Sequence, residues 1–123
     1  MRFDWREFLA FAQATATLSG EGFSIEAAQR SAVSRAYYAA FCHAREYATL
    51  QLGYTPSYTA RDHASLRAHL RLHGLEPIAE MLARLRIWLN RCDYANQVAN
   101  LVEMLRNALD TSESVIQRLP LRL

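Results

Sequence analysis

The chain is 123 residues long, 51% hydrophobic and 21% charged, with four glycines and three prolines, a composition that excludes disorder and collagen-like repeats and suits one globular domain over residues 1–123. Its net charge of +2 sets up no strong field toward nucleic acid. No apolar run reaches the length of a membrane span, and the opening MRFDWREF carries charges where a signal peptide has its apolar core, so a cytoplasmic protein without membrane contact is expected.

Along the chain, Asp4 followed by Glu7 has capping-box spacing and Phe3 with Phe8 has the spacing of a hydrophobic staple, which predicts a helix over residues 3–18. SGEG at 19–22 breaks it. Ser24 is a suitable N-cap for a second helix from Ile25 to about Leu52, roughly 40 Å long and alanine-rich on a face that lets another backbone come close. Gly53 and the polar YTPSYTAR end it. Thr59 with Asp62 resembles another helix start, HASLRAHLRLH continues it, and Gly74 stops it. Glu76 and Pro77 suit the first turn of a fourth helix through MLARLRIWLN, with a turn expected near RCDYAN. From Val98 to Leu119 apolar residues recur at three-and-four spacing. With no alternating strand pattern, the fold class expected is all-α, an antiparallel bundle of four to five helices.

All fourteen basic residues are arginine. The guanidinium fork suits phosphate, but a GC-rich genome produces the same bias together with abundant alanine, and that explanation is preferred. Cys42 and Cys92 belong to no CxxC or Cys/His ligand set, so reduced, partly buried thiols are expected. Nothing in the sequence asks for a cofactor.

AAQRSAVSRAYYAAFCHAREY at 27–47 resembles the second-helix signature of prokaryotic HEPN domains, in which a Ser-Arg-Ala-Tyr-Tyr-Ala-Ala-Phe run is characteristic. His63 after the loop, a leucine-rich helix, and Asn90-Arg91-Cys92-Asp93-Tyr94 are similar to the family's later elements, where Arg-x-x-Ala-Asp-Tyr is common. The resemblance implies a four- or five-helix bundle, often dimeric, from bacterial toxin-antitoxin and defence systems and frequently encoded beside a nucleotidyltransferase. Many members are metal-independent ribonucleases with an Arg-x(4 to 6)-His motif. Here Arg91 is followed by Cys92, Asp93, Tyr94, Ala95 and Asn96, with no histidine downstream. Aligning Cys92-Asp93-Tyr94 with the Ala-Asp-Tyr variant puts Leu89 at the arginine position. A non-catalytic interaction or nucleotide/RNA-binding module is therefore the leading expectation, and an atypical ribonuclease toxin the alternative.

Cleavage of RNA through its own 2′-hydroxyl needs a base, a cation for the developing charge and an acid, and histidine suits the two proton-transfer tasks. If the chain is active, the candidates are Asn90, Arg91 for phosphate, Asp93 as base and Tyr94 as acid. Aspartate and tyrosine ordinarily titrate far from neutrality. Asp93 is also placed to cap the last helix, the preferred reading. Arg67 and His73 match Arg-x(5)-His but fall about 120° apart on a helix, so they are read as a chance match. His69 and His73 at i and i+4 lack a third metal ligand and read as a solvated face. Tyr37 and Tyr38 point about 100° apart, so one is expected in the core and the other at a cleft or dimer seam. Arg35 and Arg45, on the same helix, are candidates for nucleotide binding, with solvated arginines the preferred reading.

Overall fold

A computed structural model describes residues 2–20 and 22–121; Glu21 of the SGEG break lies outside them. The protein is an all-α bundle of five helices: α1 (Arg6–Thr15), α2 (Ile25–Gln51), α3 (Arg61–Leu72), α4 (Glu76–Tyr94) and α5 (Leu101–Arg118). No strand occurs among the described residues; Gly20 and Phe23 form one isolated bridge in the α1–α2 link.

Helix α2 is the axis, packing against each of the other four. Its alanines explain how: Ala28, Ala32, Ala36, Ala39, Ala40, Ala44 and Ala48 are all buried, and side chains of one methyl let neighbouring backbones approach on several sides. The larger side chains come from the surrounding helices. Leu66 and Leu70 of α3, Leu82 and Leu85 of α4, and Val115 of α5 are wholly buried, as are Val33 and Tyr37 of α2. Burial of each such aliphatic residue contributes about 1.5–3 kcal/mol.

Helix ends follow the sequence where side-chain chemistry is strictly local. Ser24 Oγ accepts the Ala27 N–H at 3.1 Å, capping α2. At the end of α3, Gly74 has φ +76° and Leu75 N–H returns to the Leu70 carbonyl at 2.9 Å, a Schellman closure that favours glycine. The staple also forms, with Phe3 and Phe8 ring centroids 5.3 Å apart and Trp5 against both. The capping box does not. Asp4 Oδ1 accepts the Arg6 N–H at 3.0 Å and both carboxylate oxygens hold the Arg6 guanidinium, so α1 begins at Arg6 rather than near residue 3.

Two further boundaries differ from expectation. RCDY is the last turn of α4 and not a turn between helices, and α5 starts at Leu101 behind Asn100, which has φ 56°. The reason is Arg30 of α2. Its guanidinium donates to the carbonyls of Cys92 at 3.1 Å, Ala95 at 2.5 Å and Asn96 at 3.1 Å, satisfying carbonyls left open where α4 stops. Asp93 is therefore no cap for the last helix, and the capping account of it is overturned.

Candidate functional site

The segments that carry the sequence resemblance are brought together in space. Ser34 Oγ donates to Asp93 Oδ1 at 2.6 Å, joining α2 to the end of α4. One turn further along α2, the Tyr37 hydroxyl pairs with His63 Nδ1 of α3. The His63 ring stacks on Phe41 with centroids 4.5 Å apart and lies 6.4 Å from Tyr38. Tyr37 is 1% exposed and Tyr38 half-buried, the division of labour expected of adjacent helical positions.

Electrostatics around His63 is dominated by arginine. Burial lowers its pKa, and the Arg86, Arg67 and Arg45 charges lower it further against a weaker opposing effect of Asp62. Burial pushes the Tyr37 phenol above its usual range, so it keeps its proton. A buried hydroxyl needs an acceptor, and the neutral imidazole offers Nδ1, which leaves the proton of His63 on Nε2. Arg67 Nη1 donates to the His63 carbonyl at 2.8 Å, tying the two residues together across one turn of α3.

The same region of the bundle carries a buried carboxylate. Asp62, 1% exposed, accepts from the Ser57 N–H and hydroxyl, each at 2.9 Å, the Tyr58 N–H at 2.9 Å, the Tyr54 hydroxyl at 3.0 Å and Arg45 Nη1 at 3.1 Å. Burial alone would raise its pKa, but the bonds from Ser57, Tyr54 and Tyr58 hold it well below the usual carboxylate range. The expectation of a helix start at Thr59 and Asp62 thus meets a larger device, in which one carboxylate shapes the 53–60 connection. Arg45 lies over the Phe41 and Tyr58 rings, 5.0 and 4.8 Å from their centroids.

The remaining candidates divide by exposure. Asn90, Arg91, Asp93 and Tyr94 are all exposed at the end of α4, and among the described residues the Arg91 side chain has neither an ion pair nor a hydrogen-bonded partner. Arg35 and Arg45 do not share a partner: Arg35 is exposed over the Phe8 ring at 4.9 Å and borders an apolar groove with Phe11, Leu18 and Phe23, whereas Arg45 is committed to Asp62. Arg67 and His73 have separate partners, His73 standing at the α3 C-cap. His69 is not part of a merely solvated face: its Nε2 meets the Leu52 carbonyl at 2.6 Å and its ring lies 4.6 Å from that of His73. Among the described residues no three His, Cys, Asp or Glu are grouped to hold a metal ion.

Cys42 and Cys92 are free and buried, and burial raises both thiols. No helix among the described residues is long and apolar enough to cross a membrane. No family model, curated protein or solved structure matches the chain.

Sequence reasoning passed over Arg67 and Arg86 as neighbours of His63. The spacing of four between His63 and Arg67 was available, since it puts both on one face of a helix. Arg86 was not, because its approach depends on how α4 packs against α3.

Proposed function

We propose that the chain is a HEPN-like module that pairs with a second copy of itself and holds a nucleotide or RNA without cutting it. Its setting in this reading is the cytoplasm of a bacterium, in a toxin-antitoxin or defence system beside a nucleotidyltransferase. The observation that carries the reading is the makeup of the α4 end. Arg91 and Tyr94 stand exposed where a phosphate and a base would meet them, Asp93 is engaged by Ser34, and the sequence contains no histidine beyond His73. A guanidinium and an aromatic ring bind nucleic acid but move no proton at neutral pH. Coupling of Asp93 to Ser34 and of His63 to Tyr37 further supports the kinship, because the resembling segments act as one structural unit.

A metal-independent ribonuclease is the second reading, favoured by His63, a titratable ring with arginines nearby. Incubating total RNA in EDTA with wild type, His63→Ala, Arg91→Ala and Asp93→Ala decides between them. The binding reading expects intact RNA throughout, since losing general acid-base catalysis removes roughly a hundredfold to ten-thousandfold in rate. Robust cleavage by wild type, abolished by any one of these substitutions, would replace it with the ribonuclease.

A further inference from the structure

The segment leading into α1, the middle of α2 and the C-terminal end of α5 surround a cavity of about 400 Å³, a volume within the roughly 300–1,000 Å³ of small-molecule sites. Its apolar lining includes Phe3 and Trp5, edge to face with ring centroids 4.8 Å apart, and the buried Leu9 and Ile116. Its charged lining is unbalanced: three carboxylates, Asp4, Glu46 and Glu113, face one guanidinium, that of Arg6. Arg6 is spent on Asp4, through bonds of 2.9 and 2.7 Å. Glu46, whose side chain is only 16% exposed, is met at 3.2 Å by Arg2, which is 51% exposed. Glu113 accepts from Gln117 Nε2 at 3.2 Å and forms no ion pair among the described residues.

The floor of this cavity is His43 of α2, 3% exposed. Its Nε2 lies 2.6 Å from the Leu119 carbonyl, a group left open where α5 ends. A carbonyl only accepts, so Nε2 carries the proton, and burial favours the neutral ring by lowering the pKa of His43. Nδ1 is then a bare acceptor. Among the described residues it makes no hydrogen bond, and Ser112 Oγ is the one fully buried side-chain polar atom there without a partner. Nδ1 is therefore not sealed in the core but opens onto the cavity that His43 lines. A buried acceptor thus stands at the floor and an exposed carboxylate, Glu113, at the rim.

We infer that this cavity binds a small aliphatic diamine, one ammonium donating to His43 Nδ1 at the floor and the other meeting Glu113 at the rim. The ligand has to bring what the cavity lacks, hydrogen-bond donors and positive charge. Glu46, close to buried, supplies negative charge along the way, and the rings of Phe3 and Trp5 attract a cation through their faces. A methylene stem suits Leu9 and Ile116, as the stems of lysine and arginine suit apolar surface elsewhere. A bare metal ion does not fit, because no three His, Cys, Asp or Glu among the described residues are grouped to hold one. The site is separate from the end of α4: Ser34, which holds Asp93, precedes His43 by nine residues on α2, about 13 Å along the helix axis. It adds a ligand to the proposed function and does not depend on it.

Titration calorimetry with cadaverine, pentylamine and pentanediol, alongside nitrogen NMR of the imidazoles, tests it in the absence of RNA. Wild type is expected to bind cadaverine at one site per chain, pentylamine more weakly and the uncharged diol not at all. The His43 spectrum should show the Nε2–H tautomer in the free protein, with Nδ1 shifting as cadaverine saturates. Glu113→Gln, a change at an exposed position, should weaken cadaverine by roughly two- to fivefold, the range of an exposed ion pair. Glu46→Gln combined with Glu113→Gln should weaken it by roughly tenfold, with circular dichroism confirming the fold. Asp110→Asn, on α5 but outside the cavity, should leave binding unchanged. No binding of cadaverine at millimolar concentration, or binding indifferent to both glutamate changes, overturns the site. So does equal affinity for pentanediol, and equal affinity for pentylamine overturns the two-ended ligand. A His43 that carries its proton on Nδ1, or is unmoved by cadaverine, removes the floor of the site whatever the variants do.

Discussion

Replacing Asp62 with asparagine should be among the most damaging conservative changes in the molecule. The carboxylate is 1% exposed and accepts five hydrogen bonds, and its partner Arg45 has a side chain only 18% exposed. A carboxamide at this position would keep one acceptor oxygen, turn an N–H toward existing donors and strand the guanidinium. Breaking a buried ion pair from one side costs about 3–5 kcal/mol. At about 4 °C per kcal/mol for a domain of this size, the melting temperature at pH 7 should fall by roughly 12–20 °C. Adding Arg45→Met should return part of the loss by removing the stranded charge. Asp62 also sets a pH dependence. Its folded pKa lies below the unfolded value of about 3.9, so its contribution is complete above that pH and fades as pH falls toward the folded value. The gap between wild type and Asp62→Asn should accordingly narrow below about pH 4. Melts by circular dichroism at pH 7 and through the acid range measure both effects. A drop under about 4 °C, or a gap that stays constant with pH, would refute the role given to this carboxylate.

Arg30→Ala should destabilise the domain by about 2 kcal/mol and speed amide exchange at the end of α4, because three carbonyls lose a charged donor. Ser24→Ala should cost about 1 kcal/mol through the α2 cap, read by thermal melting. Asp93→Ala should cost less than about 1 kcal/mol in the same assay, since its bond to Ser34 is exposed and it caps no helix. Light scattering at tens of micromolar should give twice the chain mass; a strictly monomeric mass would remove the pairing from the proposed function.

Legibility of the sequence tracked how local each determinant is. Ser24, Gly53 and Gly74 act within a few residues, and the helix ends they predict are the ones found. The all-α class followed from apolar spacing, which survives whatever the helices pack against. The extension of α4 through Tyr94 was not legible, because Arg30 sits more than sixty residues upstream of the carbonyls that it holds. For the same reason Asp93 looked like a cap when read alone, and a distant serine claims it instead. His63 stood out only through resemblance. Its setting comes from Tyr37 on one side and arginines from three helices, an arrangement fixed by the packing of α2, α3 and α4. Arg35 and Arg45 show the opposite failure: a shared helix suggested a shared role, but one lies over Phe8 and the other on Asp62.

The central claim, binding of a nucleotide or RNA without cleavage, is tested most directly by one titration of a fluorescent 5′-phosphorylated single-stranded RNA in EDTA, with anisotropy followed and the RNA then run on a denaturing gel. A saturable rise in anisotropy is predicted, with full-length RNA recovered from every point. Shortened RNA in the wild-type samples, or no rise at any protein concentration, would contradict it.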